Sequence, residues 1–216
     1  MHFSFFNQPL AAQKNFKSFC SALKPLLSSN TQALEELEKI ENNFAKVMQE
    51  KMEDMWAKKL GLDKFDVELF EELINLMIET KVDYTIFFRE LSNIPNDINE
   101  LEKSFYGSLK NENIKLRWNS WLEIWKSLIN VTDKESIKSL SNQMKLTNPK
   151  YTLREWHLVW AYQEAENGNY KPVHELQEIM TNPYNEQTKE IEEKYYIKKP
   201  SDFFGIAGIS HVSCSS

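Results

Sequence analysis

The segment from Asn30 to Leu62 limits the fold of this chain more than any other stretch. Its apolar side chains recur every three or four positions, which is the spacing of one face of an α-helix. They are Leu34, Leu37, Ile40, Phe44, Val47, Met48, Met52, Met55 and Trp56. Glu and Lys fill the other faces, and Gly61 is placed to end the helix. The segment therefore predicts one long amphipathic helix.

Glycine is scarce throughout the chain, with five residues in 216. Sheets with many tight turns depend on glycine, whereas the abundant Glu, Lys and Leu favour helices. A hydrophobic content of 41% is too high for a disordered chain. We therefore predict an all-α, irregular helical domain of about eight helices.

Local signals place most of the helix ends. Pro9 is suited to begin the first helix and Pro25 to end it. Asp66 and Asp83 are predicted N-caps of the next two short helices. Thr132–Glu135 has the pattern of a capping box.

Proline and glycine mark the later helices. Pro149 is predicted to lie in the first turn of a helix that Gly168 closes. Pro172 begins a last short helix, which Pro183 ends. The helical pattern fails after this point although many aromatic residues follow. We expect residues 1–182 to form the helical domain and residues 183–216 an extended C-terminal tail lying across a surface.

Three tryptophans, Trp118, Trp121 and Trp125, fall within eight residues of one apolar helix face. They suit either a buried core or a stacking platform for a ligand or base. We favour the core, because packing alone explains their spacing. The platform would belong to a small-molecule enzyme built on these helices.

The overall charge limits the kinds of partner that the protein is expected to bind. A net charge of −6 and a pI near 5.4 argue against a nucleic-acid-binding surface, which needs clustered Lys and Arg. The sequence has no apolar run long enough to span a membrane and begins without the pattern of a secretory signal. We therefore expect a cytoplasmic protein that binds neither nucleic acid nor membrane.

No catalytic, cofactor-binding or metal-binding motif is recognisable from residue chemistry. The sequence lacks a phosphate-binding glycine loop, a His-Glu-x-x-His motif and a Cys-x-x-Cys motif. His157 follows Trp156 on an apolar helix, so we interpret it as a hydrogen-bonded core or boundary residue rather than a general base. His211 and Cys214 alone are too few ligands for a zinc site.

The two cysteines differ in setting. Cys20 lies among apolar helix residues and is interpreted as a small buried hydrophobe. Cys214 is the third residue from the C-terminal end and lies between serines. It is either an ordinary solvated thiol or a redox-responsive group that tethers the tail to a partner thiol. Cys214 is therefore the one redox candidate.

Several segments resemble, in the same order, the selenoprotein O family of protein adenylyltransferases. They are FSFFNQP (3–9), ALKPLL (22–27), VDYTIFFREL (82–91), RWNSWLEIW (117–125), NPKYTLR (148–154), AENGNY (165–170), NPYNEQ (182–187) and VSCSS (212–216). The resemblance covers nearly the whole chain. Several segments in a fixed order are more specific than any one of them.

The resemblance implies a kinase-like enzyme that uses ATP and magnesium to transfer AMP to Ser, Thr or Tyr of proteins. It implies that this chain is the C-terminal lobe of that fold, and that the ATP-binding and metal-binding core lies upstream. The chain alone would then bind neither cofactor and be inactive, with a separate kinase-like catalytic half as its partner. It also implies a redox role for Cys214. A stand-alone helical interaction module or a degenerate remnant is the alternative.

Overall fold

The computed structural model describes residues 7–107 and 109–204, and this part of the chain is all-α, as predicted. It contains nine α-helices, three short 3-10 helices and no β-strand beyond one isolated bridge between Val82 and Phe105. The α-helices are α1 Gln8–Leu23, α2 Thr31–Leu60, α3 Val67–Thr80, α4 Tyr84–Leu91, α5 Glu112–Leu128, α6 Lys134–Thr147, α7 Glu155–Glu166, α8 Lys171–Thr181 and α9 Lys189–Tyr195. The 3-10 helices are Lys24–Leu27, Ile98–Ser104 and Ser201–Phe203.

The chain divides into two compact units, one up to Trp56 and the other from Ala57 onward. In the first unit, the rings of Phe16 and Phe44 stack with their centroids 4.6 Å apart. Cys20 is fully buried, which confirms its interpretation as a small hydrophobe. The first α-helix begins one residue before Pro9 and gives way to a 3-10 turn at Pro25, as expected.

The second unit has its core around the tryptophans of α5. Trp118, Trp121 and Trp125 are all buried, which confirms the core interpretation and leaves no open stacking platform. The indole N–H of Trp121 donates to the carbonyl of Leu69 at 2.9 Å, and that of Trp125 donates to the carbonyl of Leu60 at 2.7 Å. The rings of Trp121 and Trp125 therefore also satisfy their one polar atom, whereas Nε1 of buried Trp118 has no hydrogen-bond partner within the described residues.

The predicted N-caps at Asp66 and Asp83 are confirmed. Their carboxylates accept the backbone N–H of Leu69 at 2.8 Å and of Ile86 at 3.1 Å. The predicted capping box is displaced by one residue, since it is Asp133 that accepts the N–H of Ser136. An Asp carboxylate competes effectively with a neighbouring Thr hydroxyl for the same helix N-terminus.

The prediction that Pro149 opens a helix is wrong. Helix α7 begins at Glu155, and the segment before it lies outside any helix. The backbone N–H groups of Lys150 and Tyr151 both donate to the carbonyl of Pro183, at 2.9 and 3.1 Å. These long-range bonds hold the segment open, so tertiary contacts override the local proline signal.

Residues 184–204 pack within the second unit, but they are not wholly extended as expected. Thr188 caps helix α9 by accepting the N–H of Ile191 at 3.4 Å. Tyr195 and Tyr196 are buried in one cluster with Tyr151, Ile86, Ala161, Leu176 and Ile179. Burial of these aromatic rings accounts for the apolar content of the segment. The division at residue 183 stays a prediction.

Candidate functional site: a polar network

Six polar residues of the second unit form two hydrogen-bonded groups, Asp83 with Arg154 and the other four around Arg89 and Glu186, which we together call the anchor network. Its members are Asp83, Arg89, Asn148, Lys150, Arg154 and Glu186. All six belong to the family-like segments VDYTIFFREL, NPKYTLR and NPYNEQ. Three of the eight segments that carry the resemblance are therefore brought together in space.

Asp83 is the first centre of the network. Arg154 donates to both of its carboxylate oxygens, Nη1 to Oδ2 at 2.6 Å and Nη2 to Oδ1 at 2.9 Å. The hydroxyl of Tyr106 donates to Oδ2 at 3.0 Å, while Oδ1 also caps helix α4. Four donors thus satisfy a nearly buried carboxylate, as a charge in the interior requires.

Arg89 is the second centre and is almost fully buried. Its Nη1 donates to the carbonyls of Lys145 and Asn148, both at 3.1 Å. These carbonyls lie at the C-terminal end of α6, where the helix leaves its last acceptors unpaired. Its Nη2 donates to Oε1 of Glu186 at 2.7 Å. Arg89 therefore caps one helix and holds the segment after Pro183.

Lys150 binds the same carboxylate from the other side. Its ammonium donates to Oε2 of Glu186 and, at 2.9 Å, to Oε2 of Glu192. Burial opposes the charge of Lys150, but these bonds outweigh it and raise its pKa. Burial likewise opposes ionisation of Glu186, yet bonds from Lys150 and Arg89 lower its pKa to about 2. Glu186 is therefore ionised at neutral pH.

Asn148 is fully buried and connects α2 to α4. Its Nδ2 donates to the carbonyl of Lys59 at 2.9 Å and to Oγ of Ser92 at 3.1 Å. Its Oδ1 accepts from Nζ of Lys59 at 2.8 Å. Burial lowers the pKa of Lys59 to about 8, and its ammonium lies 4.7 Å from the centre of the Phe88 ring. Asn148 thus uses both ends of its amide to join distant segments.

The bonds of the network hold distant segments of the chain together. Its carboxylates are paired with cations, and the contacts seen here include no nucleophile activated by a base.

His157 is buried, as predicted, beside the ring of Tyr195 at 5.0 Å. Its Nε2 has no hydrogen-bond partner within the described residues, which differs from the expected hydrogen-bonded state. Burial lowers its pKa to about 4, so it stays neutral at physiological pH.

The remaining predictions from the sequence concern the redox candidate, a metal site and a membrane-spanning helix. Cys214 and His211 lie outside the described residues. Within residues 7–107 and 109–204, no three His, Cys, Asp or Glu side chains are grouped so as to hold a metal ion. Over the same residues, no helix is long and apolar enough to cross a membrane.

Sequence reasoning did not assign a role to any member of the anchor network except the cap Asp83. The available signal was the charged and amide residues within NPKYTLR and NPYNEQ. Those residues are spaced without helical periodicity, which is typical of side chains held by long-range partners rather than by one helix face.

Comparison with known proteins supports the resemblance. The family model of the protein adenylyltransferase SelO matches residues 1–181. The chain belongs to this family. A protein nucleotidyltransferase YdiU from Aromatoleum aromaticum is 32% identical over 222 residues, covering 99% of this chain and 41% of the relative. The YdiU protein from Flavobacterium johnsoniae is 30% identical over 224 residues, covering 99% and 42%. The chain thus spans about two fifths of the length of these SelO-family relatives.

Proposed function

We propose that this chain is the C-terminal helical region of a SelO-like protein adenylyltransferase. In the complete enzyme, AMP from ATP would be transferred to Ser, Thr or Tyr hydroxyls of other proteins. The observation that carries the proposal is the SelO family match over residues 1–181, in a chain that spans two fifths of its relatives. The helical unit would correspond to the C-terminal lobe of a kinase-like fold.

We infer that the chain alone is not catalytic. Nucleotidyl transfer depends on placing the phosphates and neutralising their charge with metal ions and cations. Two described carboxylates with lowered pKa values, Glu186 and Glu192, are already bound by Lys150, and a third, Asp133, is bound by the backbone N–H groups at the start of α6. In the proposed enzyme, the ATP-binding and magnesium-binding residues would belong to the part of the relatives' length that this chain does not cover. A separate kinase-like catalytic half in the cytoplasm is therefore the proposed partner.

Transfer of labelled AMP tests this proposal directly. The chain would be incubated with labelled ATP, magnesium and a protein extract, with the Aromatoleum aromaticum relative as positive control. We expect label on proteins with the relative and none with the chain alone. Robust transfer by the chain alone would overturn the inference of inactivity.

The alternative is a stand-alone interaction module or a degenerate remnant, and exposed apolar residues favour the module. Large apolar side chains are solvent-exposed in the first unit, among them Leu10, Phe19 and Ile40. The genomic sequence next to the gene separates the two proposals. A neighbouring reading frame with kinase-like Lys, Glu, Asn and Asp residues would support a split enzyme, and its absence would support the alternative.

We propose that Cys214 is a redox-active thiol of the C-terminal tail. Its thiol and a partner thiol would lose two electrons and two protons to a cellular oxidant and form a disulfide. Brief alkylation of the native protein followed by mass spectrometry tests accessibility. We expect rapid labelling of Cys214 and protection of Cys20, which is fully buried. Equal protection of both thiols would count against the redox role.

A further inference from the structure

A groove of about 480 Å³ runs between α3 and α5 in the second unit. Its floor contains Leu69 of α3 and Trp121 of α5, and both of these side chains are buried. The indole N–H of Trp121 donates to the carbonyl of Leu69 at 2.9 Å, so a direct hydrogen bond joins the two helices. The groove is therefore preformed by the packing of α3 against α5.

One wall of the groove is an apolar row on α5. Leu116, Ser120, Ile124 and Leu128 occupy every fourth position of this helix. Leu116 is 63% exposed and Ile124 is 55% exposed, so two large apolar side chains meet water along the same row. Single exposed apolar residues are ordinary, but a row at four-residue spacing forms the ridge that packs into the surface grooves of another helix. This wall therefore fits a further helix.

The other wall of the groove is acidic. It contains Asp66, Glu68 and Glu72, at and just after the N-terminal end of α3. Among the described lining residues the one cation is Arg117, which donates to Glu72 at 2.8 Å and to Glu79, outside the groove, at 2.6 Å. Glu68 is exposed and forms no ion pair within the described part of the chain. The groove therefore keeps a negative charge that Arg117 does not neutralise.

The charge of the groove favours a separate chain as its occupant. The segments of this chain outside the described residues that could supply an apolar strip are residues 1–6 (MHFSFF) and 205–216 (GIAGISHVSCSS). Neither segment contains a Lys or an Arg. A basic segment of another protein therefore complements the acidic wall better than either of them.

We propose that this groove binds a basic amphipathic helix of a partner protein. The apolar face of that helix packs along Leu116, Ile124 and Leu128, and its Lys or Arg side chains pair with Glu68 and Asp66. The row from Leu116 to Leu128 extends about 18 Å along α5, so about three turns of a partner helix cover it. The proposal is independent of the proposed transferase function, because it rests on the groove alone.

Fluorescence anisotropy of a labelled synthetic peptide tests the site on the full chain. The probe is a helical peptide of about 12 residues with leucines along one face and lysines on both flanks of that face. The comparison peptide has glutamates in place of the lysines. We expect saturable binding of the basic peptide that weakens with added salt, and no binding of the acidic peptide.

Matched variants locate the binding on the protein. Ile124→Ala should weaken binding of the basic peptide by about fivefold, because less apolar surface is buried. Ile78→Ala changes an isoleucine of α3 that is 70% exposed and is not among the lining residues, so it should leave binding unchanged. Glu68→Gln should weaken binding by about threefold, whereas Glu71→Gln, at an exposed position of α3 that does not line the groove, should not.

Several results would overturn the proposal. They are absence of saturable binding, equal binding of the two peptides, and equal losses in Ile124→Ala and Ile78→Ala. Unchanged melting temperatures of the variants exclude unfolding as the cause of a loss. Sedimentation of the chain without peptide separates a partner protein from a second copy of this chain. We expect a monomer, and a concentration-dependent dimer that Ile124→Ala disrupts would overturn the assignment of a partner helix.

Discussion

Arg154 and Asp83 lie 71 positions apart in the sequence and are joined by two hydrogen bonds of 2.6 and 2.9 Å. The Arg154 side chain is 11% exposed and that of Asp83 is 4% exposed. The pair links the segment before α7 to the N-terminal end of α4. Its bidentate geometry makes the contact directional as well as charged.

Removal of one partner of this pair should strongly destabilise the second unit. We expect Arg154→Met to lower the free energy of unfolding by about 3–5 kcal/mol, because Asp83 would stay buried without its cation. Urea denaturation followed by tryptophan fluorescence measures the change. The matched control is Arg117→Met, which removes an exposed arginine paired with Glu72 and Glu79. A loss in the control as large as that in Arg154→Met would contradict the importance of burial.

Asn148→Ala should also be costly, although it removes no charge. The substitution leaves the Lys59 ammonium without its oxygen acceptor and the Lys59 carbonyl without its amide donor. We expect a loss of about 2–4 kcal/mol in the free energy of unfolding. Asn93→Ala, at an exposed position bonded to Glu90, is the control and should change stability little. Equal effects of the two substitutions would show that Asn148 is not a structural centre.

Gly61→Ala and Gly168→Ala form a second matched pair. Both glycines have positive φ, +67° and +83°, so both substitutions carry a backbone cost of about 1 kcal/mol. A Cβ at Gly61 would lie 2.7 Å from Sδ of buried Met144, whereas a Cβ at Gly168 meets no atom within 4 Å. We expect Gly61→Ala to lower the melting temperature more than Gly168→Ala. Equal shifts would contradict the close packing of Gly61 against α6.

His157 makes stability depend on pH in the acid range. Its pKa is about 4 in the folded protein and about 6.5 when exposed, so the unfolded state binds more protons between these values. The contribution of His157 is complete above pH 6.5 and is lost as pH falls toward 4. We expect a loss of about 2 kcal/mol over this window that is absent in His157→Gln. Identical pH profiles for the two proteins would contradict burial of a neutral imidazole.

Local signals predicted the parts of the fold that depend on neighbouring residues. The caps Asp66 and Asp83 and the buried face of α5 follow from spacing alone, because each is decided within one or two helical turns. Helix α9 was missed although Thr188 precedes acidic residues at its N-terminus, which is a visible start signal. Helix α9 has only seven residues, which are too few to show a sustained helical spacing of apolar residues.

The anchor network was not predictable in the same way. Arg89 and Glu186 are 97 positions apart, and no local pattern identifies such a pair. The open segment after Asn148 was mistaken for a helix because its proline is compatible with a first turn. The bonds to the Pro183 carbonyl that prevent the helix come from a distant segment. Resemblance marked these segments as important, and the structure shows that they contact one another.

A double-mutant cycle between Asp83 and Arg154 tests most directly the claim that the anchor network holds the family-like segments together. Unfolding free energies would be measured for Asp83→Ala, Arg154→Ala and the double variant. Loss of the α4 cap and of the Tyr106 bond cancels in the cycle, which leaves the pair itself. We predict a coupling energy of at least about 2 kcal/mol. Additive losses, with a coupling energy within about 0.5 kcal/mol of zero, would contradict the account.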